Sequence, residues 1–253
     1  MKEAPALTGR SERTLAEFDK FAQNYSDEAA KDLGNFEKYR NTAFLYKSQY
    51  LKYILPKEPK GILDFGCGVG LNVPYLKKYF PNANLFGCDV SSESIKIAED
   101  NFPYCEFSVV NTPEGLMRFR DKINVIFVST VLHHIPSVEH EKWINGLHLA
   151  MNSGDYLVIF EHNIKNPITA KVVKGSKGDE EAIMLDARYC EQLVKGRFYG
   201  TLVRNQEIKV TCNNVRLRYT YFFPWRSSLF TAIERFLWFI PLGAQYCVYA
   251  RKL

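Results

Sequence analysis

Three glycines at alternate positions, Gly66, Gly68 and Gly70, follow an acidic residue, Asp64, and a second acid, Asp89, lies 19 positions beyond the last glycine. Alternating glycines let a backbone turn sharply and approach a ligand closely, because no Cβ stands in the way. The spacing is G-x-G-x-G, not the G-x-G-x-x-G that seats a dinucleotide pyrophosphate on a helix N-terminus. An acid about 20 residues past such a turn is placed to meet ribose hydroxyls. Together the residues describe a site for a nucleoside-type ligand without a pyrophosphate, in which an acid can also meet a cationic group.

Histidines form the second chemical set. His133 and His134 are adjacent, and His162 directly follows Glu161. Imidazole titrates near neutrality, so any of the three could take a proton from a hydroxyl nucleophile. The competing reading is a hydrogen-bonded core histidine, which is common near strand ends. His140 and His148 read as helix-surface residues. Six cysteines, at 67, 88, 105, 190, 212 and 247, include no C-x-x-C pair and no short-range pairing with histidine, so they read as free thiols in a reducing compartment and no metal is expected.

These residues need a frame, and the hydrophobic pattern supplies one. Gly61–Phe65, Asn84–Cys88, Cys105–Val110, Ile123–Ser129 and Tyr156–Phe160 read as strands, alternating with helices over Leu71–Phe80, from Ser91 or Ser92 onward, and Val138–Met151. Runs such as Val125-Ile-Phe-Val128 are apolar on both faces, as in a parallel sheet covered by helices on each side. The expected fold is α/β, a doubly wound, mostly parallel seven-stranded sheet, with ligands beyond the carboxyl ends of the strands. Two helical zones, Ser11–Asn24 and Thr42–Leu55, precede the first strand and mark residues 1–56 as an N-terminal helical lid on a catalytic domain over 57–253. After Glu161 the pattern loosens to Lys177, resumes as a helix over Glu180–Val194, and turns strand-like over Ile208–Phe223, which suggests a cap-like insertion at about 163–205. A helix over Ser227–Phe239 would set Leu229, Ile233, Phe236, Leu237 and Ile240 on one face, to cover a final strand over Ala244–Ala250.

The 253 residues suffice for one large domain, and neither a signal peptide nor a span of the roughly 20 apolar residues a membrane helix needs is evident. A cytoplasmic protein, monomeric or homodimeric, is expected. The net charge of +5 is wholly local: residues 162–220 hold 11 Lys/Arg against 6 Asp/Glu. Such a field could draw an anionic ligand or could be a solvated surface.

The run Ile62-Leu-Asp-Phe-Gly-Cys-Gly-Val-Gly70, with Asp89 following, resembles the signature of class I S-adenosylmethionine-dependent methyltransferases, over about Lys60–Glu161. The resemblance implies a Rossmann-like methyltransferase fold with S-adenosyl-L-methionine as cofactor and S-adenosyl-L-homocysteine as product. Asp64, Gly66, Cys67, Gly68 and Gly70 would hold the methionine end, Asp89 the ribose, and Val90 would flank the adenine, with Ser129 at the end of strand four completing the site. Where many relatives carry an aspartate for the adenine amine, this chain has Asn111 and Thr112, and an Asn carbonyl can still reach that amine. Val131-Leu-His-His-Ile-Pro136 resembles the segment after strand four in small-molecule methyltransferases, and Phe18–Tyr25 resembles their lid, in which Tyr25 closes over the cofactor. Phe160–Thr169 and Pro241–Tyr246 resemble segments of bacterial enzymes that tailor saccharides or other surface polymers.

The implied reaction is methyl transfer, with O-methylation favoured by the histidines, to a small polar acceptor such as a saccharide, phosphorylated and nucleotide-linked ones included. A lipid-like acceptor, a quinone or prenyl compound at a membrane surface, and a non-catalytic cofactor-binding assembly protein are the alternatives. No nucleic-acid partner is expected, since no aromatic, glycine-rich RNA-recognition pattern is present.

Overall fold

The computed structural model describes residues 37–175, 182–196, 212–222, 233–234 and 236–253. Tyr25, the zone Ser11–Asn24, and parts of the expected insertion and of the helix after Ser227 lie outside them.

The described chain runs α1 (Glu37–Ile54), β1 (Gly61–Phe65), α2 (Val73–Tyr79), β2 (Asn84–Asp89), α3 (Ser92–Asn101), β3 (Glu106–Val109), a 3-10 helix (Pro113–Phe119) and β4 (Val125–Ser129). Two short 3-10 turns, Leu132–His134 and Ser137–Glu139, lead to α4 (His140–Ala150), β5 (Tyr156–His162), α5 (Pro167–Lys174), α6 (Ala187–Lys195), β6 (Cys212–Thr220) and β7 (Gln245–Lys252). The strands form one sheet in the order β3-β2-β1-β4-β5-β7-β6. The first five are parallel, and β7 lies antiparallel between β5 and β6. The expected seven-stranded, mostly parallel α/β sheet is therefore present, with its antiparallel pairing at one side.

Period two decides how the sheet is covered. Ile62, Val125, Phe127, Val158 and Phe160 share one apolar cluster with Leu51 of α1, Leu76 of α2 and Ile95 of α3. Their neighbours Leu63, Ile126, Val128, Leu157 and Ile159 share the other with Trp143 and Leu147 of α4 and Leu193 and Val194 of α6. Both faces are buried, which is why these strands read as continuous apolar runs. Within the stretch 163–205, α6 thus lies directly on the sheet.

Local chemistry sets the helix ends. Ser91 Oγ accepts the Ser94 N–H and starts α3, while Asp186 Oδ1 accepts the Arg188 N–H and starts α6, which ends at left-handed Gly196. A helix not expected from the sequence, α5, opens where Asn166 Oδ1 accepts the N–H groups of Ile168 and Thr169 and Pro167 occupies the first turn. It is only eight residues long, so periodicity alone gave no helical signal.

Two expectations are corrected. His140 and His148 are buried, not on the helix surface. The α4 helix turns them inward, and burial, with repulsion from Lys252, lowers the His148 pKa to about 4. The apolar face expected to cover the last strand does not do so at Phe236, which is 76% exposed, or at Ile233; α6 packs there instead, against β6 and β7.

Phe127, at the middle of β4, is fully buried. Phe127→Ala should lower the unfolding free energy by about 3–5 kcal/mol, read as a shifted urea midpoint with an unchanged slope.

Candidate functional site

The glycine turn leaves β1 at the carboxyl edge of the sheet. Gly66, Gly68 and Gly70 all have positive φ, at 68°, 52° and 83°. The N–H groups of Gly66 and Cys67 both donate to the Cys88 carbonyl at 2.8 and 3.0 Å, which ties the turn to β2. A Cβ on Gly66 would strike Val131 at 2.5 Å, and one on Gly70 would strike Phe102 at 2.8 Å, so these two glycines serve packing. A Cβ on Gly68 would meet nothing within 4 Å: the turn opens to free space at this glycine.

Asp89, at the end of β2, closes the turn from the other side. Its Oδ2 accepts the Gly68 N–H at 2.8 Å and its Oδ1 accepts the Ser91 N–H at 3.0 Å. The carboxylate is thus oriented beside the open glycine, half-buried together with Val90. Asn111 and Thr112 follow β3 at the same edge and are exposed; Thr112 precedes the first turn of the 3-10 helix. Cys67 is buried, and burial with the nearby Asp89 and Asp64 pushes its thiol pKa well up. It packs; it is not a thiolate.

Asp64 is almost fully buried, with the Asn72 side-chain amide donating to both its oxygens at 3.3 and 3.1 Å. Burial raises its pKa to about 7; the Asn72 bond and Lys47 oppose the rise and Asp89 adds to it. Lys47 of α1 is a site residue that the sequence did not single out. It is 2% exposed, and its Nζ donates to Ser129 Oγ at 2.8 Å. Burial lowers its pKa to about 8, against the attraction of Glu161 and Asp64. Its signal was in the sequence: Lys47 stands four residues before buried Leu51, on the apolar stripe of a helix, where an ammonium needs a reason. Asn72 was also missed; its Oδ1 is buried with no hydrogen-bond partner among the described residues, an acceptor left beside Asp64.

The histidines gather at the ends of β4 and β5. Glu161 Oε1 accepts the N–H groups of Val131 and Leu132 at 3.0 and 2.8 Å, and Oε2 accepts His133 Nδ1–H at 2.6 Å. Glu161 and His133 are both buried. Burial alone would raise the Glu161 pKa, but the attraction and hydrogen bond of His133, with His162 and the Leu132 N–H, bring it down to about 2. Glu161 acts on its sequence neighbour His162 through charge, and its hydrogen bond reaches His133, 28 positions away. His134 and His162 are half-buried, with ring centroids 4.1 and 5.5 Å from that of His133. His140 holds the turn from behind: its Nε2 lies 2.9 and 2.8 Å from the carbonyls of Leu132 and Ile135, so that nitrogen carries the proton and donates to both.

Two chemically distinct halves therefore share one sheet edge. The β1–β2 half offers acids, an open glycine and an orphaned amide oxygen, a donor set fit for an ammonium and a ribose diol. The β4–β5 half offers a His–Glu pair with two more imidazoles. Among the described residues no cluster of His, Cys, Asp and Glu could hold a metal ion, and no helix is long and apolar enough to cross a membrane.

Residues 62–154 match the family described as "Methyltransferase domain". The tRNA N(3)-methylcytidine methyltransferase trm141 of Schizosaccharomyces pombe is 29% identical over 57% of this chain and 64% of its own length. The trans-aconitate 2-methyltransferase of Yersinia pestis (strain Pestoides F) is 37% identical over 22% of each chain. The chain thus spans less than two thirds of the curated relatives it matches. Among solved structures, a possible histamine N-methyltransferase from Thermotoga maritima superposes with TM-score 0.62 at 14% identity, covering 95% of this chain and all of that one. The plantazolicin methyltransferase BamL, solved with S-adenosylhomocysteine, gives TM-score 0.57 at 18% identity, covering 95% and 97%.

The buried Asp64 carries a pH signature. Its carboxyl ionises near 3.8 when unfolded and near 7 when folded, so ionisation favours the unfolded chain in between. Relative to Asp64→Asn, the parent protein should lose stability steadily as pH rises from about 4 to about 7 and hold level above that, as measured by urea unfolding across the series.

Proposed function

We propose that this chain is a class I S-adenosylmethionine-dependent methyltransferase, in keeping with its match to a methyltransferase-domain family over residues 62–154, and that it transfers a methyl group to a hydroxyl of a small polar acceptor, phosphorylated ones included. The observation that carries the reading is the open Gly68 with Asp89 oriented beside it, on the same sheet edge as the His133–Glu161 pair.

When bound, S-adenosylmethionine supplies an activated methyl on a sulfonium. In this reading Asp64 and the free Asn72 oxygen receive the cofactor's ammonium, and Lys47 gives its carboxylate a counter-charge. Asp89 takes the ribose hydroxyls, Val90 flanks the base, and Asn111 with Thr112 lies where the adenine amine would be met. Cys67 and Ser129 support the pocket by packing and by fixing Lys47. What remains for the protein is to align the acceptor and move a proton. Glu161 holds the Nδ1–H tautomer of His133, so Nε2 is the basic nitrogen of the neutral ring. His134 and His162, whose rings lie tilted beside it and are less buried, are the routes by which a proton leaves an acceptor hydroxyl toward solvent.

Asp89→Ala and Gly68→Ala should both abolish S-adenosylhomocysteine binding in calorimetry. The glycine change should cost only about 1–2 kcal/mol of stability for a side chain in a left-handed conformation, since nothing crowds its Cβ. Unchanged affinity in both would overturn the cofactor assignment. Replacing His133, His134 and His162 singly by Ala should leave that binding intact and cut kcat by about 100-fold or more in at least one. Glu161→Gln should shift the acid limb of the kcat profile, and full activity in all four would remove the general-base role.

A further inference from the structure

An apolar surface lies at the same sheet edge as the histidines and has no part in the chemistry above. His162 of β5 is paired with Gln245 of β7, and Gln245 with Thr220 of β6, so the turn entering β7 and the start of α5 both emerge beside the active edge. The two segments are fastened together: the Asn166 amide donates to the Leu242 carbonyl at 2.6 Å, Thr169 Oγ1 to the Ala244 carbonyl at 3.1 Å, and the Asn163 amide to the carbonyls of Pro241 and Gly243. Ile168 and Leu242 project from these fastened segments at 73 and 57% exposure, and Phe236 and Phe239, in the stretch that leads into them and is tied to β6 by the Tyr219 N–H on the Trp238 carbonyl, at 76 and 63%. Single exposed apolar residues are ordinary, but four large ones on segments that meet at one sheet edge mark an interaction surface.

The charge around the platform selects the partner. From Asn163 to Gly175 the chain carries Lys165, Lys171 and Lys174 and no acid. Lys165 is paired with Asp186, and Lys171 and Lys174 are exposed cations of α5, the helix on which Ile168 and Val172 are also exposed. Trp238 lies edge-on to Phe239 and under the Arg218 guanidinium, 4.7 Å from its ring centroid, the amphipathic pairing of aromatic and cation that suits a headgroup layer. Apolar side chains that enter an acyl boundary, flanked by lysines that meet negative headgroups, are complementary to an anionic bilayer and not to water.

We propose that this platform docks the protein on an anionic lipid bilayer, peripherally and without a spanning segment, and so holds the histidine edge toward the membrane surface. The docking does not depend on the cofactor reading; the two together imply an acceptor whose polar end is displayed at that surface.

Co-sedimentation of the full chain with vesicles of phosphatidylcholine alone, and of phosphatidylcholine with phosphatidylglycerol, tests it. The parent protein should bind the anionic vesicles at least about tenfold more tightly, with the preference weakened by salt. Phe236→Ser with Phe239→Ser, and separately Lys171→Glu with Lys174→Glu, should each reduce that binding by about tenfold or more, while S-adenosylhomocysteine affinity and the thermal midpoint stay unchanged. Equal binding by parent and variants, or no binding by the parent, overturns the docking proposal. So does a dimer in sedimentation velocity that the Phe236/Phe239 change dissociates, for then a second copy covers the face. Vesicle binding by a parent protein that fails to bind S-adenosylhomocysteine would overturn the proposed function and leave the docking in place.

Discussion

A single buried carboxylate organises the β4–β5 end of the sheet edge. Glu161 gathers three donors from the segment after β4, two backbone N–H groups and His133 Nδ1–H, all within 3.0 Å. A carboxylate removed from water must find such partners or give up its charge. Here it finds them, and the His133 turn is fixed at the end of β5 as a result. The turn begins at Thr130, a non-glycine residue with φ of 56°, a conformation that persists only where its surroundings enforce it. Glu161 in front and His140 behind supply that enforcement.

The same constraint reaches the β1–β2 half through Lys47. One face of the sheet carries Asp64 and Ser129 at strand ends, and α1 crosses that face with Lys47 between them. The ammonium feels Glu161 and Asp64 together, so charge placed in either half alters the other. A ligand bearing both an ammonium and a carboxylate would complete this arrangement. Asp64, held near neutrality by burial, is poised to respond to it.

The antiparallel side of the sheet has a different task. By running β7 backward between β5 and β6, the chain returns the 236–244 turn to the edge where the parallel strands end. An apolar platform is thereby set beside the histidines, not at the far end of the strands. The carbonyls of the turn are satisfied by Asn163, Asn166 and Thr169, which lets its large side chains face outward without fraying the backbone.

How far the sequence determined this protein follows from the range of each interaction. The glycine turn, the five parallel strands and the fold class rest on contacts between near neighbours or on a period of two, and both are written in consecutive residues. Gly66, Gly68 and Gly70 announced a positive-φ turn, and Asp89 its partner at the end of the next strand. Helix α5 escaped because its origin is a capping asparagine and not a periodic face. Tertiary structure alone decided the rest: that Glu161 bonds His133 across 28 positions, that His140 turns inward, that Lys47 lies buried against Ser129 82 positions away, and that Phe236 faces outward. In each case the deciding partner is distant in sequence, and burial, which fixes the energy of a charge or an apolar ring, is a property of the assembled sheet and its covering helices.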